Sequence, residues 1–159
     1  MAEPAFVVLR VNGVAIEAET TAHSFAPEDG IELVGYSQPA ARAHTDAGVA
    51  GRRSYKPIVF LKRIDRASPL VAEAFAQNAV VEADFHFFRD EGGGSPTEYF
   101  TVEVTQGAIV SFRQLLDDAL DPAQSTRPPL EEVELLPHRI SWTYLDGGIT
   151  FEDTWGSIA

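Results

Sequence analysis

The chain has 159 residues, of which 45% are hydrophobic, and a formal net charge of −12 at pH 7; this length and apolar content predict one globular domain and exclude a chain disordered throughout. The negative charge argues against general nucleic-acid binding, and no apolar run approaches the roughly 20 residues that span a bilayer. The chain has no cysteine, which excludes disulfides and thiolate metal sites, and its first residues lack the basic and apolar regions of a Sec-type signal.

The first third of the chain predicts strands. Asn12-Gly13 joins two short hydrophobic runs and favours a two-residue type I′ turn, because both residues of such a turn need positive φ. Residues 30–38 form another predicted strand. The segment that follows, about 39–54, has no hydrophobic period, and we expect an extended loop without regular structure. A further strand begins near Pro57, where the missing N–H is tolerated.

One helix is predicted, at about residues 69–77. Ser68 is expected to be its N-cap, Pro69 occupies the first helical position, and Asn78 favours the left-handed conformation that follows a helix. The apolar side chains fall on one stripe, which predicts that the helix docks by a single face. They are Leu70, Val71, Ala74 and Phe75.

The second half of the chain alternates apolar and polar residues with the period of half-buried antiparallel strands. Three consecutive glycines, 92–94, predict a hairpin turn between two of these strands, and two more strands flank a turn at 146–148. A second long connection is expected at about 113–130. Together these elements predict a mainly β fold over residues 1–159, with two antiparallel sheets forming a β-barrel or sandwich and one short accessory helix.

The charges are unevenly distributed along the chain. Seven of the 12 basic residues lie between positions 42 and 66, where only Asp46 and Asp65 oppose them. The rest of the chain is strongly acidic. Such an asymmetry can mark a nucleic-acid tail or a solvated loop, but it also suits a basic segment of one copy meeting the acidic body of another copy.

Asp84 and His86 are the best candidates for chemistry, because positions i and i+2 of a strand share a face and a histidine–carboxylate pair can transfer protons or bind a metal. Their alternation with phenylalanines is more typical of the polar outer face of a half-buried strand. The histidines lack metal-ligand spacing, and no nucleophile motif is present. Trp142 and Tyr144 share a strand face and could stack on a sugar, but such aromatics more often lie in a core or an interface. The sequence predicts no catalytic, metal or cofactor-binding site.

Three segments, taken together, resemble one known family. They are Lys62 to Leu70 at the start of the predicted helix, Phe87-Phe88-Arg89 at a strand end, and Ile140 to Tyr144 followed by Gly147-Gly148. On these motifs the chain, from the Asn12-Gly13 turn to Trp155, is similar to the Hcp (hemolysin-coregulated protein) family. This family provides the tube subunits of bacterial type VI secretion systems and is related in fold to phage tail-tube proteins.

The resemblance implies a β-barrel of two sheets flanked by the helix, with subunits that form hexameric rings and stack into a hollow tube. Contraction of an outer sheath, attached to a baseplate, drives such a tube out of the cell with a spike protein at its tip, and secreted effector proteins can travel in its lumen. On this interpretation the chain is not an enzyme and uses no cofactor. It is cytoplasmic before firing and is then secreted without a Sec signal.

By position, the resemblance places contacts between subunits in the extended loop at about 39–54. Because arginine and tyrosine are enriched at protein interfaces, the expected contacts are Arg42, Arg52, Arg53 and Tyr55. The strand at 31–37 resembles one that lines the lumen, and Ser37 is the expected cargo contact. The connection at 113–130 is longer than its counterpart in compact members of the family.

Two alternative functions stay open at this point. The same kind of subunit could form the tube of a phage tail or of an extracellular contractile injection particle. A more distant alternative is a small β-barrel hydrolase or a carbohydrate-binding module. It would use Asp84 and His86 for catalysis, or Trp142 and Tyr144 for sugar binding.

Overall fold

Ten strands and one helix are present in the computed structural model of the protein, which describes residues 3–19 and 23–154. The strands are β1 (Ala5–Val11), β2 (Val14–Ala15), β3 (Ile31–Ser37), β4 (Ala40–Thr45), β5 (Gly48–Tyr55), β6 (Ile58–Arg63), β7 (Val81–Arg89), β8 (Thr97–Leu115), β9 (Leu130–Tyr144) and β10 (Ile149–Thr154). The helix α1 (Ser68–Ala76) connects β6 to β7. The described ranges contain no helix that is long and apolar enough to cross a membrane.

Six of the strands close into a barrel. Their order is β9-β6-β3-β1-β7-β8, and pairing of β8 with β9 completes the ring. All of these pairings are antiparallel. β2 adds to the edge of β1 and β10 to the edge of β9, while β4 and β5 form a separate two-stranded sheet. The prediction of a mainly β fold, with antiparallel sheets forming a barrel or sandwich and one short helix, is confirmed. One sheet alone closes the barrel, and the second sheet is the separate β4–β5 pair.

β9 both closes the barrel and carries β10. Its residues 130–135 pair with β6, its residues 139–144 pair with β10, and β8 runs beside both halves. The change of partner occurs around Pro137, which has no N–H to donate to a ladder. Gly107 of β8 lies opposite Pro137, and a Cβ added at Gly107 would be 3.0 Å from Cγ1 of Val104. The glycine therefore permits a close approach of the two long strands at this bend.

The core lies inside the barrel, and the strand alternation seen in the sequence explains most of it. In β7, for example, Val81, Ala83 and Phe85 are buried while the residues between them are half-exposed. β1 departs from this alternation, because four consecutive residues, Phe6–Leu9, are buried. The ring of Phe6 packs edge-on against Phe25 and Phe88, so that both faces of β1 are covered.

The left-handed backbone conformation predicted at the Asn12-Gly13 turn and at Asn78 is confirmed. Asn12 has a φ of 50° and Gly13 a φ of 82°, as a type I′ turn between β1 and β2 requires. Asn78 has a φ of 50° just after the C-cap of α1, Gln77. In each case a short polar side chain or a glycine occupies a conformation that other residues adopt only under strain.

The start of α1 differs from the prediction. The N-cap is Ala67, which cannot form a side-chain capping bond, and Ser68 already lies in the helix. The Ser68 hydroxyl instead accepts a 3.1 Å hydrogen bond from the backbone N–H of Asp65, whose own Oδ1 accepts one from the N–H of Ala67. Asp65 therefore accepts a hydrogen bond from one of the amides that have no partner within the helix, a role that the sequence assigned to Ser68.

Only part of the predicted apolar stripe on α1 is buried. Val71 and Ala74 belong to the core, whereas Leu70 and Phe75 remain partly exposed. The ring of Phe75 packs edge-on against Phe112 of β8. The helix therefore covers the barrel with a narrow face, and one of its large apolar residues lies at the boundary with solvent.

A buried ion-pair network connects the end of β6 to α1 and β9. The side chains of Lys62 and Glu131 are both fully buried. The Lys62 ammonium lies 2.8 Å from Oδ1 of Asp65 and 3.4 Å from Oε1 of Glu131, and it also donates to the Ser68 hydroxyl. Gln114 of β8 donates to the other oxygen of Glu131. The ammonium donates three hydrogen bonds, to Arg63, Asp65 and Ser68, whereas Oε1 of Glu131 is ion-paired without accepting a hydrogen bond from the described residues. Buried charges are tolerated when they are paired.

The two long connections are shorter and more ordered than expected. Residues 39–54 were predicted to lack regular structure, but they contain β4 and most of β5, which pair from Ala40 with Tyr55 to Thr45 with Gly48. The prediction was wrong because a hydrophobic period reports the burial of one strand face, and this hairpin buries neither face. Similarly, β8 extends to Leu115, so the second connection comprises residues 116–129.

Candidate subunit interface

The β4–β5 hairpin, residues 40–55, is largely exposed. Every residue of β4 is exposed. The two strands approach closely at Gly51, where an added Cβ would be 2.5 Å from the Cβ of Ala43, so that only glycine fits there. Small residues thus keep the hairpin thin, and its arginines are Arg42, Arg52 and Arg53.

Arg42 and Arg52 carry the exposed charge of the hairpin. Nη1 of Arg42 makes only a long hydrogen bond, 3.4 Å, to the carbonyl oxygen of Gly51 in the opposite strand. The side chain of Arg52 makes no ion pair or hydrogen bond with any residue of the described ranges. Both guanidinium groups therefore remain accessible to an acidic surface of another molecule.

Arg53 and Tyr55 instead bind to β10 of the same chain. Nε and Nη2 of Arg53 donate to the two carboxylate oxygens of Asp153, at 2.6 and 2.7 Å, and the Tyr55 hydroxyl donates to Oδ2 at 2.6 Å. We call this cluster of Arg53, Tyr55 and Asp153 the Asp153 anchor. A bidentate pair of this kind fixes orientation as well as distance, so the anchor holds the base of the hairpin against the edge of the large sheet.

The anchor keeps its carboxylate ionised. The hydrogen bonds from Arg53 and then from Tyr55 lower the pKa of Asp153 to about 2. Only 11% of the Asp153 side chain is exposed, so its charge is satisfied chiefly by these two partners. Partial burial and the neighbouring carboxylate raise the pKa of Tyr55. At neutral pH the anchor therefore consists of a carboxylate, a guanidinium and a neutral phenol.

Aromatic side chains surround the anchor. The indole of Trp142 stacks on Phe151 of β10 at an interplanar angle of 15°. The ring centroids of Tyr55 and Trp142 are 5.9 Å apart. Nε1 of Trp142 donates to Oε1 of Gln38, which directly follows β3. Trp142 is therefore occupied by packing and a hydrogen bond, as expected for an aromatic residue at an interface between elements.

The structure separates the predicted interface residues into two groups. Arg53 and Tyr55 lie at the base of the hairpin and bind Asp153, while Arg42 and Arg52 lie beyond the base and are exposed. Ser37 is the last residue of β3, is exposed and pairs with Val59 of β6. Sequence reasoning did not find Asp153, because its partner Arg53 is 100 residues away and no local pattern connects them.

The alternative catalytic pair is not assembled. Asp84 accepts a 2.6 Å hydrogen bond from Arg10 of the neighbouring strand, and His86 pairs at 2.5 Å with Glu98 of β8. Each side chain is thus used in a cross-strand contact on the polar face of the sheet. Within residues 3–19 and 23–154, no group of three or more histidine, aspartate or glutamate residues is placed to hold a metal ion.

Comparison with known proteins agrees with this architecture. The family model described as "Type VI secretion system effector, Hcp" matches residues 9–144. The "Major exported protein" of Pseudomonas aeruginosa strain PAO1 is 28% identical over 108 residues, which are 67% of this chain and 63% of the relative's length.

Solved structures match nearly the whole chain. A mutant of the Hcp1 protein from the Escherichia coli EAEC 042 pathovar is 27% identical, with a TM-score of 0.82 over 97% of this chain and 100% of that chain. The secreted protein Hcp3 from Pseudomonas aeruginosa has the same fold at 21% identity, with a TM-score of 0.75 over 98% and 100% of the two chains.

The family model covers most of the segment that carried the resemblance in the sequence, from the β1–β2 hairpin to Tyr144 of β9. Trp155, at the end of that resemblance, lies outside the described residues. This family is structural and not catalytic, in agreement with the cross-strand use of Asp84 and His86. The chain therefore belongs to the Hcp family of type VI secretion system proteins.

Proposed function

We propose that the protein is a subunit of the inner tube of a type VI secretion system, which forms hexameric rings that stack head to tail. The observation that carries this proposal is the exposed β4–β5 hairpin, fixed at its base by the Asp153 anchor. An isolated two-stranded hairpin is only marginally stable in water. A hairpin that is rigidly attached and otherwise uncovered is well suited to be covered by another subunit.

The charge distribution supports contact between unlike surfaces. A head-to-tail contact requires two different, complementary patches on each subunit, whereas a two-fold contact uses the same patch twice. The hairpin presents Arg42 and Arg52, and the protein as a whole has a net charge of −12. Opposite charges on the two patches would favour a single orientation of neighbouring copies.

The remaining features of the proposed function follow from family membership. The tube would be cytoplasmic before firing and would leave the cell without a Sec signal; the name of the Pseudomonas relative describes an exported protein. Its partners would be the spike protein, the contractile sheath and the baseplate. Effector proteins would travel in the lumen, where we propose Ser37 as a cargo contact because it is exposed at the end of β3.

The proposal is tested by changing the two exposed arginines of the hairpin. We expect the purified protein to show rings in negative-stain electron microscopy and a matching mass in light scattering. Replacing Arg42 and Arg52 together by Glu should weaken assembly strongly, because both charges would then repel an acidic partner. The barrel should still unfold at an unchanged temperature, since neither residue contacts it.

A charge-matched control separates this effect from general electrostatics. The double variant Arg63→Glu with Arg113→Glu changes the net charge by the same amount, at exposed positions outside the hairpin, and should assemble nearly as well as the original protein. A strict monomer at high concentration, before any substitution, would contradict the proposed function.

A further inference from the structure

The 116–129 connection between β8 and β9 exposes large apolar side chains next to acidic ones. Leu116 is 72% exposed and Leu120 is 92% exposed. Asp117, Asp118 and Asp121 lie between and beside these leucines. Single exposed leucines are common, but two on one short connection, flanked by carboxylates, resemble the apolar centre and polar rim of a protein interface.

Hydrogen bonds order this connection. The backbone N–H of Leu120 donates to Asp118, and that of Ala123 donates to Asp121. Arg127 lies 3.4 Å from Asp117 and is the one basic residue of the segment. Residues 116–129 therefore present a fixed surface with an excess of negative charge and two uncovered leucines.

The connection and the β4–β5 hairpin lie at opposite ends of the same strand. The hairpin ends at Tyr55, just before Ile58 begins β6, and the connection ends next to Leu130, which pairs with Arg63 at the other end of β6. At roughly 3.3 Å per residue, β6 separates these two ends by about 17 Å. Each subunit thus carries a basic projection at one end and an acidic, apolar surface at the other.

The two surfaces are complementary in chemistry. The hairpin offers Arg42 and Arg52 together with Val49, which is 70% exposed near its turn. The connection offers three aspartates around two leucines. Pairing these surfaces would bury apolar area on both sides and place Arg42 and Arg52 near carboxylates, which the hairpin does not achieve within its own chain.

We infer that the 116–129 connection is the docking surface for the β4–β5 hairpin of a second copy of this protein in the adjacent ring. The inference rests on the proposed function, because it requires rings that stack head to tail. It assigns a partner to a connection whose two leucines are exposed in the single subunit. It also explains why that segment keeps exposed leucines between acidic residues.

Disulfide trapping tests this contact directly, because the protein has no cysteine of its own. In the double variant Val49→Cys with Leu120→Cys, each copy carries one thiol on the hairpin and one on the 116–129 connection. Mild oxidation of concentrated protein should give a ladder of covalent products in non-reducing electrophoresis that continues beyond six copies. Either single variant should give no product larger than a dimer.

The control moves the second thiol to an exposed position elsewhere. Val14 is 71% exposed at the start of β2, and Val49→Cys with Val14→Cys should give no ladder. Rings without a Val49–Leu120 ladder, or a ladder that ends at six copies and so lies within one ring, would overturn the docking inference and leave the proposed function intact. Absence of rings in the original protein would overturn both.

Discussion

The carboxylate of Asp153 determines how the hairpin is attached. It accepts two hydrogen bonds from Arg53 and one from Tyr55. Asp153 lies on β10, 100 residues after Arg53 in the chain. The resemblance to the Hcp family placed Arg53 and Tyr55 at an interface by their position, and their residue types agreed with that. The structure shows a contact within the subunit for both, and this leaves Arg42 and Arg52 as the charges available to a neighbour.

Asp153 should act as a positioning residue with a defined pH dependence. Its pKa is lowered from 3.8 to about 2 in the folded protein, so its stabilising effect is fully present above pH 3.8 and is lost as the pH falls toward 2. The variant Asp153→Asn should therefore have a lower Tm than the original protein at neutral pH. The difference should shrink between about pH 4 and pH 2, as measured by circular dichroism.

The same substitution should loosen the hairpin. Hydrogen exchange of β5 amides should be faster in Asp153→Asn, and ring assembly should weaken. The exposed neighbour Glu152, which pairs with Arg139, provides the control: Glu152→Gln should change neither β5 exchange nor assembly. An Asp153→Asn protein with unchanged β5 exchange would show that the anchor does not hold the hairpin.

At the scale of elements, the sequence predicts those parts whose local pattern reports burial or backbone conformation. The Asn12-Gly13 turn, the left-handed Asn78 and the alternation in β7 were all visible in this way. The β4–β5 hairpin was not visible, because its residues are exposed on both faces and show no alternation. The role of Ser68 was also misread, since its hydroxyl is used by Asp65 and Lys62, a contact that depends on tertiary structure.

Lys62 is the residue on which the junction of β6, α1 and β9 depends. Its replacement by Met would leave the buried carboxylate of Glu131 without its counter-charge. Breaking a buried pair in this way costs about 3–5 kcal/mol. We expect this loss in the free energy of unfolding, measured by denaturant titration.

Two further variants test whether the uncompensated charge causes the loss of stability in Lys62→Met. Arg63→Met, at the exposed next position, should change stability by no more than about 0.5 kcal/mol. The double variant Lys62→Met with Glu131→Leu should recover part of the loss, because it also removes the unpaired charge. Equal losses in the single and double variants would show that packing, and not the uncompensated charge, causes the effect.

At the scale of the whole molecule, the barrel closes through the long pairing of β8 with β9. The sequence predicted a barrel or sandwich of antiparallel strands, and the resemblance to the Hcp family selected the barrel. Neither showed that β9 changes partner around Pro137, from β6 to β10, because strand alternation does not specify which neighbours a strand has. This change of partner brings Asp153 within reach of the hairpin.

The bend at this closure should be sensitive to side-chain volume at Gly107. In Gly107→Val the added carbons would meet Val104, Leu135 and the carbonyl oxygen of Leu136. Overpacking of this kind costs about 1–3 kcal/mol, which thermal unfolding would detect. Gly93→Val is the matched control, since nothing lies within 4 Å of a Cβ at that position. A similar Tm for both variants would contradict this assignment.

The Asp153 anchor also defines a mechanical path through the subunit. A force that pulls the hairpin along β10 is transmitted to that strand through the pair of Arg53 and Asp153. The six paired residues of β10 and β9 then transmit the force to β9. β9 is in turn held by β8 along almost its whole length. Ladder hydrogen bonds lie across the strands, so such a force would load many of them in shear at once. A tube subunit built in this way would resist being pulled apart at the element that we propose contacts its neighbour.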